Sequence, residues 1–390
     1  MTDRAKTEQH RALFPALANK AYFNYGGQGP LPGLALEEIY KAYEYIQQAG
    51  PFSDAVNDWI EQVAAQTRQA LASSLGVTKE TIALTEDVTV GCNIPLWGID
   101  WTKNDHLLLS DCEHPGIVAT VDEIRRRFGI DVSICSLAAT LNQGDPVAAI
   151  VSHLRPTTRL VVLSHILWNT GQVLPLAEIA SACKNICGAR ILVDAAQSVG
   201  VLPLNLTEFV GVDFYAFTGH KWWCGPEGLG GLYIAPDALE SLNPTFIGWR
   251  GIITDRSGKR IWKPDSRRFE VATSAYPLYA GLGCAIALHD RWGSPQQRYQ
   301  QIQHLSQYLW EQLAQLPQIK CLRTSPPEAG LVSFQVNGNS HLQLVRFLEQ
   351  QGMFIRLIRD PDCVRACVHY FTTVDEIERL VAGIERFCQQ

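Results

Sequence analysis

Five short apolar runs that stop abruptly at polar residues constrain this chain more than any other feature. They are TIAL before Thr85, HLLLS before Asp111, RLVVLS before His165, RILV before Asp194 and VDFYAF before Thr218. Unbroken apolar runs, rather than alternating ones, are what a strand needs when both faces of its sheet are covered. Segments that read as helices lie between them, among them Pro115 to Phe128, Asp145 to Leu154 and Pro175 to Cys187. Strands alternating with helices predict an α/β chain with a mostly parallel sheet.

From about Pro295 the texture changes. QQRYQQIQHLSQYLWEQLAQL sets Ile302, Leu305, Leu309, Leu313 and Leu316 on one helical face. GLVSFQV, HLQLVRFLEQQG, MFIRLI, VRACVHYF and a last helix capped near Thr373 then predict a smaller α+β unit. At 390 residues the chain exceeds what one core usually organises, so two units are expected.

Composition removes several functions. A formal charge of -6 gives no general attraction to nucleic acid. No stretch offers eighteen uninterrupted apolar residues, and MTDRAKTEQHRALFPAL has no apolar leader core, so no membrane partner and a cytoplasmic location are expected. Cys183 with Cys187 and Cys363 with Cys367 are spaced like neighbours on a helix or strand rather than like a zinc knuckle, and no metal is expected. The glycines of GPEGLGGLYI lead into a strand instead of opening a helix, which denies them the context of a dinucleotide fingerprint.

In open parallel sheets ligands bind beyond the carboxyl ends of the strands. Those ends deliver Thr85 to Asn93, His114, Asn169, Asp194 with Gln197, and His220 with Lys221. Asp194 follows an apolar run and needs a cation, which a protonated pyridine nitrogen, a protein arginine or a helix cap would each satisfy. Burial of Lys221 would favour the neutral amine that condenses with an aldehyde; a snorkelling surface lysine is the plainer alternative. TEDVTVGCN can cup a phosphate at a helix N-terminus, with Thr89 adding a hydroxyl, or be an ordinary cap. His220 and Thr218 can reach the same phosphate or make core hydrogen bonds. His114, just before Pro115, can lie on an aromatic cofactor or cap its helix.

With those residues in place, DAAQSVG followed by FTGHKWWCGPEGLGGLYI resembles the cofactor region of class V aminotransferase-like enzymes of fold type I, which use pyridoxal 5'-phosphate. Within them the chain is most similar to the cysteine desulfurase group and its cysteine/cystine carbon–sulfur lyases. The likeness extends from AYFNYGGQGPLP, through TEDVTVGCN, CEHPGIV, SHILWNTGQVLP and RRFEVATSAYP, to VRACVHYFTTVDEIERL. It implies a large cofactor-binding domain over 20–291 and a small domain from 1–19 and 292–390. It implies a catalytic set of Lys221, which binds the cofactor covalently, Asp194 on the pyridine nitrogen and His114 stacked on the ring. Gln197 would bond the ring 3'-oxygen, and Val88, Thr89 and His220 the phosphate, helped by Thr273 from a second subunit. That last residue makes a homodimer the expected unit. Asn169 would lie near the substrate and a cofactor oxygen, with Arg365 on the substrate carboxylate; Arg356 and Arg359 are the candidates to share that task.

One departure bears on the reaction. Desulfurases of this family carry a nucleophilic cysteine on a mobile loop, and RLIRDPDCVRAC is too short for one; Cys363 is a poor substitute. The expected route is β-elimination from cystine or cysteine to pyruvate, ammonia and a persulfide or sulfide. A sulfur-acceptor protein, for iron–sulfur clusters, is the partner this implies. A desulfurase using Cys363, an aminotransferase, a kynureninase-like hydrolase and a noncatalytic binding protein are the alternatives. Trp222, Trp223, Trp249 and Arg250 either shape a pocket for the distal half of cystine or pack in the core.

Overall fold

Residues 3–389 are described by a computed structural model, and their architecture follows from where apolar runs can be covered. After helix α1 (Asp3–Arg11) and the short strand β1 (Ala21–Tyr22), helices α2 (Gly33–Ala49) and α3 (Asp54–Leu75) lead into the main sheet. Its strands are β2 (Ile82–Thr85), β3 (His106–Ser110), β4 (Asp131–Cys135), β5 (Thr158–Ser164), β6 (Arg190–Asp194), β7 (Phe214–Thr218) and β8 (Gly230–Ile234). Helices α4 (Val88–Gly98), α5 (Pro115–Phe128), α6 (Pro146–Val151) and α7 (Leu176–Cys187) connect them. The spatial order is β2-β8-β7-β6-β5-β3-β4. All neighbours run parallel except β8, which is antiparallel to both β2 and β7.

This is the mostly parallel sheet expected, and β3, β6 and β7 are buried almost throughout because helices cover both faces. The carboxyl ends of β2, β3, β5, β6 and β7 meet at one edge. The chain returns there as β8, whose glycines permit close packing: a Cβ on Gly230 would lie 2.4 Å from Phe217 O.

A hairpin of β9 (Ile252–Thr254) and β10 (Arg260–Trp262) precedes the long helices α8 (Tyr276–Trp292) and α9 (Pro295–Ala314). The capping box of α9 joins Ser294 to Gln297, and of the expected face Ile302, Leu305, Leu309 and Leu313 are buried, whereas Leu316 lies past the helix end and is half-buried. A second sheet, ordered β11-β12-β15-β14, follows from β11 (Ile319–Cys321), β12 (Leu331–Val336), β14 (Arg356–Arg359) and β15 (Asp362–Cys367). Helix α10 (His341–Gln350) and strand β13 (Met353–Phe354) intervene, and α11 (Val374–Cys388) closes the chain, capped by Thr373 as its sequence predicts.

Two apolar cores form, one about each sheet, and a third joins them through Phe14, Tyr25, Trp222, Ile302, Leu331 and Tyr370. The N-terminal stretch crosses between the units. Ala21 and Tyr22, within the span 20–291, pair in parallel with Met353 and Phe354.

Buried charge fixes the segment after β10. Arg68 of α3 meets Glu270 at 2.6 Å with both side chains about 7% exposed, and the same carboxylate accepts Leu84 N of β2 at 3.1 Å. Glu270→Ala would strand the guanidinium and the amide together. We expect a loss of about 3–5 kcal/mol, read from urea unfolding of the two proteins.

Candidate active site

A cavity of about 310 Å³ opens at the carboxyl edge of the main sheet. Its floor is Asp194, the last residue of β6, and Ser164, the last of β5. Asp194 is about 6% exposed, and one of its oxygens accepts Ala196 N at 2.9 Å. Lys221, three residues beyond β7, enters from the neighbouring strand.

Electrostatics there follow from burial. Loss of water pulls the Lys221 amine down from 10.5 to about 8; Asp194 opposes that fall and Arg365 adds to it. The same loss lowers His114, against the pull of Asp194, and lowers His220, with Lys221 adding to the effect. Both imidazoles are thereby biased towards the neutral form.

One wall is the N-terminus of α4, with Asp87, Val88 and Thr89. Asp87 is the cap and accepts Val90 N at 2.8 Å, while the amides of Val88 and Thr89 lie in the first turn, where no intrahelical acceptor exists. His220 stands beside them, its Nδ1 2.7 Å from the Thr218 hydroxyl. Thr218 itself is fully buried and does not line the cavity.

The opposite wall is His114. Its Nδ1 accepts Gly116 N at 3.2 Å, so the residue caps α5 and faces the cavity at once. Trp168 meets its ring edge to face at 6.1 Å. Gln197 is tied twice, donating to Gly26 O at 2.9 Å and accepting from Trp222 Nε1 at 2.9 Å, which leaves one amide hydrogen unspent.

Arg365 of β15, buried, and Arg356 of β14, exposed, are paired across the hairpin and bring two guanidinium groups to the cavity. Arg365 donates to Trp168 O at 2.5 Å, while its Nε has no partner. The backbone makes room for it at Gly26, where a Cβ would lie 2.8 Å from the guanidinium. Asn169 is about 4% exposed and lies just outside the lining; its Nδ2 donates to Asp360 O at 3.2 Å and its Oδ1 is unpartnered.

The structure thus gathers Val88, Thr89, His114, Asp194, Gln197, His220, Lys221, Arg356 and Arg365 around one cavity. Thr273 lies in another, of about 360 Å³, with Thr85 and Phe246. Trp222 and Trp223 are core residues, Arg250 is buried against Tyr276, and Trp249 is exposed; none of the four lines the first cavity.

Two contributors escape sequence reasoning. Gly26 and Gly27 form a wall by chain crossing alone. Glu113, adjacent to His114, is buried against Ser164, accepting its amide at 3.0 Å and its hydroxyl at 2.8 Å. Burial lifts that carboxyl to about 7, with Asp194 adding and the serine hydrogen bonds opposing. The only signal for it was an acidic residue wedged between Cys112 and His114.

An anion cup, an acidic floor, an aromatic-facing imidazole, an amine of lowered basicity and unpartnered Arg365 Nε and Asn169 Oδ1 together offer donors and acceptors that fit a phosphorylated heteroaromatic aldehyde. The protein-family model described as "Aminotransferase class-V" matches residues 22–380. Among solved structures the chain is similar to C-DES, a cystine C–S lyase. A lysine-to-alanine form of C-DES with glycine covalently linked to the PLP cofactor is 54% identical, with a TM-score of 0.94 over 96% of this chain and 98% of that one. Its complex with the reaction product cysteine persulfide gives 0.93 over 95% and 99%. A probable cysteine desulfurase of Methanothermobacter thermautotrophicus is 26% identical over 97% of this chain and 98% of its own. Isopenicillin N epimerase of Streptomyces clavuligerus is 28% identical over 96% and 95%.

Because the charge of Asp194 favours the protonated Lys221 amine, loss of that charge must lower the amine further. In ligand-free protein, modification of Lys221 by an amine-reactive reagent, located by peptide mass, should rise with a midpoint near pH 8. The midpoint should move to lower pH in Asp194→Asn.

Proposed function

The chain belongs to the class-V aminotransferase family, and from that membership we propose that it is a pyridoxal-phosphate-dependent carbon–sulfur lyase. It cleaves L-cystine, or L-cysteine, by β-elimination to pyruvate, ammonia and a persulfide or sulfide. The observation that carries this reading is a half-buried, low-basicity Lys221 beside Asp194 with two arginines and no cysteine in the lining, on a chain 54% identical to a cystine C–S lyase.

In this reading Val88, Thr89 and His220 hold the cofactor phosphate, with Thr218 fixing the His220 ring. Asp194 faces the pyridine nitrogen, His114 the ring, and the free Gln197 amide hydrogen the 3'-oxygen. The bound cofactor supplies an electron-withdrawing ring that makes a substrate Cα–H acidic. Arg365 and Arg356 clamp the substrate carboxylate in bidentate fashion, and the Asn169 oxygen accepts from the substrate beside them. That clamp turns the Cα–H bond, rather than the carboxylate bond, towards cleavage. The Lys221 amine takes the Cα proton, and the Cβ–S bond then breaks with its electron pair leaving on sulfur. A persulfide leaves more readily than an alkyl thiolate because its acid is stronger, which favours cystine over cysteine.

Cys363 is badly placed for a desulfurase. It is fully buried on β15 opposite Ile358, and burial pushes its thiol up to about 12, so almost no thiolate exists at neutral pH.

Thr273 serves a second copy of the chain. Phe246, Ile247 and Trp249 near it are 75%, 62% and 59% exposed, an apolar surface that a homodimer would cover. All eleven cysteines are unpaired, which suits a reducing, cytoplasmic setting, and no helix among the described residues is long and apolar enough to cross a membrane. A thiol-bearing acceptor protein would receive the released sulfur.

Incubation of the holoenzyme with cystine should yield pyruvate, and Lys221→Ala should lower kcat by about 10²–10⁴-fold. Cys363→Ser should retain the wild-type rate; its loss, together with alanine formed from cysteine, would establish a desulfurase instead. Sedimentation should give twice the chain mass, and Thr273→Ala should raise the cofactor concentration needed for half-saturation.

A further inference from the structure

The carbonyls of the two residues after Lys221 are gripped by side chains that do not line the cavity. Four successive carbonyls run through this turn, each taken by a separate donor. His220 O accepts Gly29 N at 2.7 Å and Lys221 O accepts Cys224 N at 3.1 Å. Trp222 O accepts His369 Nε2 at 2.9 Å, and Trp223 O accepts His289 Nε2 at 2.8 Å.

A carbonyl only accepts, so both histidines carry a hydrogen on Nε2. That requirement propagates. His369 Nδ1 is left as an acceptor and takes Tyr370 N at 3.0 Å. His289 Nδ1, likewise an acceptor, takes the Tyr370 hydroxyl proton at 2.6 Å. The hydroxyl oxygen then accepts from His10 Nε2 at 2.8 Å. Donation therefore runs one way: from α1, through Tyr370 just after β15 and His289 of α8, to the backbone beyond Lys221. Burial keeps the imidazoles neutral, pulling His10 down to about 4, His369 to about 3 and His289 well below its usual range. All four side chains are buried, and none lines the cavity.

We propose that His289 and His369, backed by Tyr370 and His10, are positioning residues for Lys221: by fixing the Trp222 and Trp223 carbonyls they set where the amine stands relative to Asp194 and Arg365, and hence its basicity. This rests on the reading of Lys221 as the cofactor-bound base. The balance they protect is fine, since Asp194 and Arg365 act on the amine in opposite directions and each effect varies with distance.

The test is a spectrophotometric pH titration of the holoenzyme's visible absorbance, with urea unfolding in parallel. His289→Leu and His369→Leu remove the donors, His289→Gln and His369→Gln retain an N–H near the same place, and Tyr370→Phe deletes one oxygen. Each leucine variant should move the absorbance midpoint by about 0.5 pH unit or more, roughly threefold in proton affinity. It should also lower kcat with little change in KM, and glutamine should restore both. Tyr370→Phe should move the midpoint in the direction of His289→Leu, by less. Midpoints that stay at the wild-type value while stability falls would reduce the cluster to packing and overturn the proposal. If the leucine variants do not fold, Tyr370→Phe decides it: an unmoved midpoint refutes the relay. A wild-type holoenzyme with no visible adduct on Lys221 would instead refute the proposed function.

Discussion

An amine and a carboxylate deprived of water at the same sheet edge are the constraint around which this molecule is arranged. Loss of water disfavours the charged amine, and the neighbouring carboxylate offsets part of that cost. Asp194 is held by the register of β6, paired through Ala216 with β7, and Lys221 follows β7 by three residues. The seven-stranded sheet is thus the ruler that sets their separation. The small unit contributes the opposing charge of Arg365, which completes the balance on the amine.

That balance explains why so much backbone is tied down near Lys221. The chain does not leave β7 for a helical crossover but returns through the loop 219–229 as antiparallel β8, so both flanks of the lysine segment are held in one sheet. Trp222 is gripped through its indole by Gln197 and through its carbonyl by His369. A long, flexible side chain acquires a defined place because the peptide beneath it has none of its usual freedom. The β14–β15 hairpin is equally tight, pairing Arg359 with Asp362 while Asn169 holds Asp360 O. A hairpin so closed brings arginine to the mouth and offers no span for a mobile cysteine.

What could be read from the sequence divides along physical lines. Strands β3, β5, β6 and β7 were legible because burial on both faces leaves an unbroken apolar run. Edge strand β4 was not, because Asp131 and Ile134 are exposed and its pattern mimics a loop. Strand β8 was legible as a strand, whereas its insertion between β2 and β7 depends on pairing across the chain that no local pattern encodes. Residues at strand ends, such as Asp194 and Lys221, inherit their place from the strand and could be assigned. Gly26, Glu113 and the histidines behind Trp223 could not, since their roles come from contacts between remote segments. Thr218 shows the limit of proximity in sequence: two residues from His220, it touches the ring and not the cavity.

The pairing of β1 with β13, and the seating of Gly26 against Arg365 and Cys367, join opposite ends of the chain. On a ribosome, the first of these partners emerges on the order of half a minute before the second. A nascent polypeptide can therefore lay down its central layers early yet remain chemically inert, because one side of the reaction chamber has not been synthesised. Competence arrives late and all at once, when Arg356 and Arg365 complete the lining.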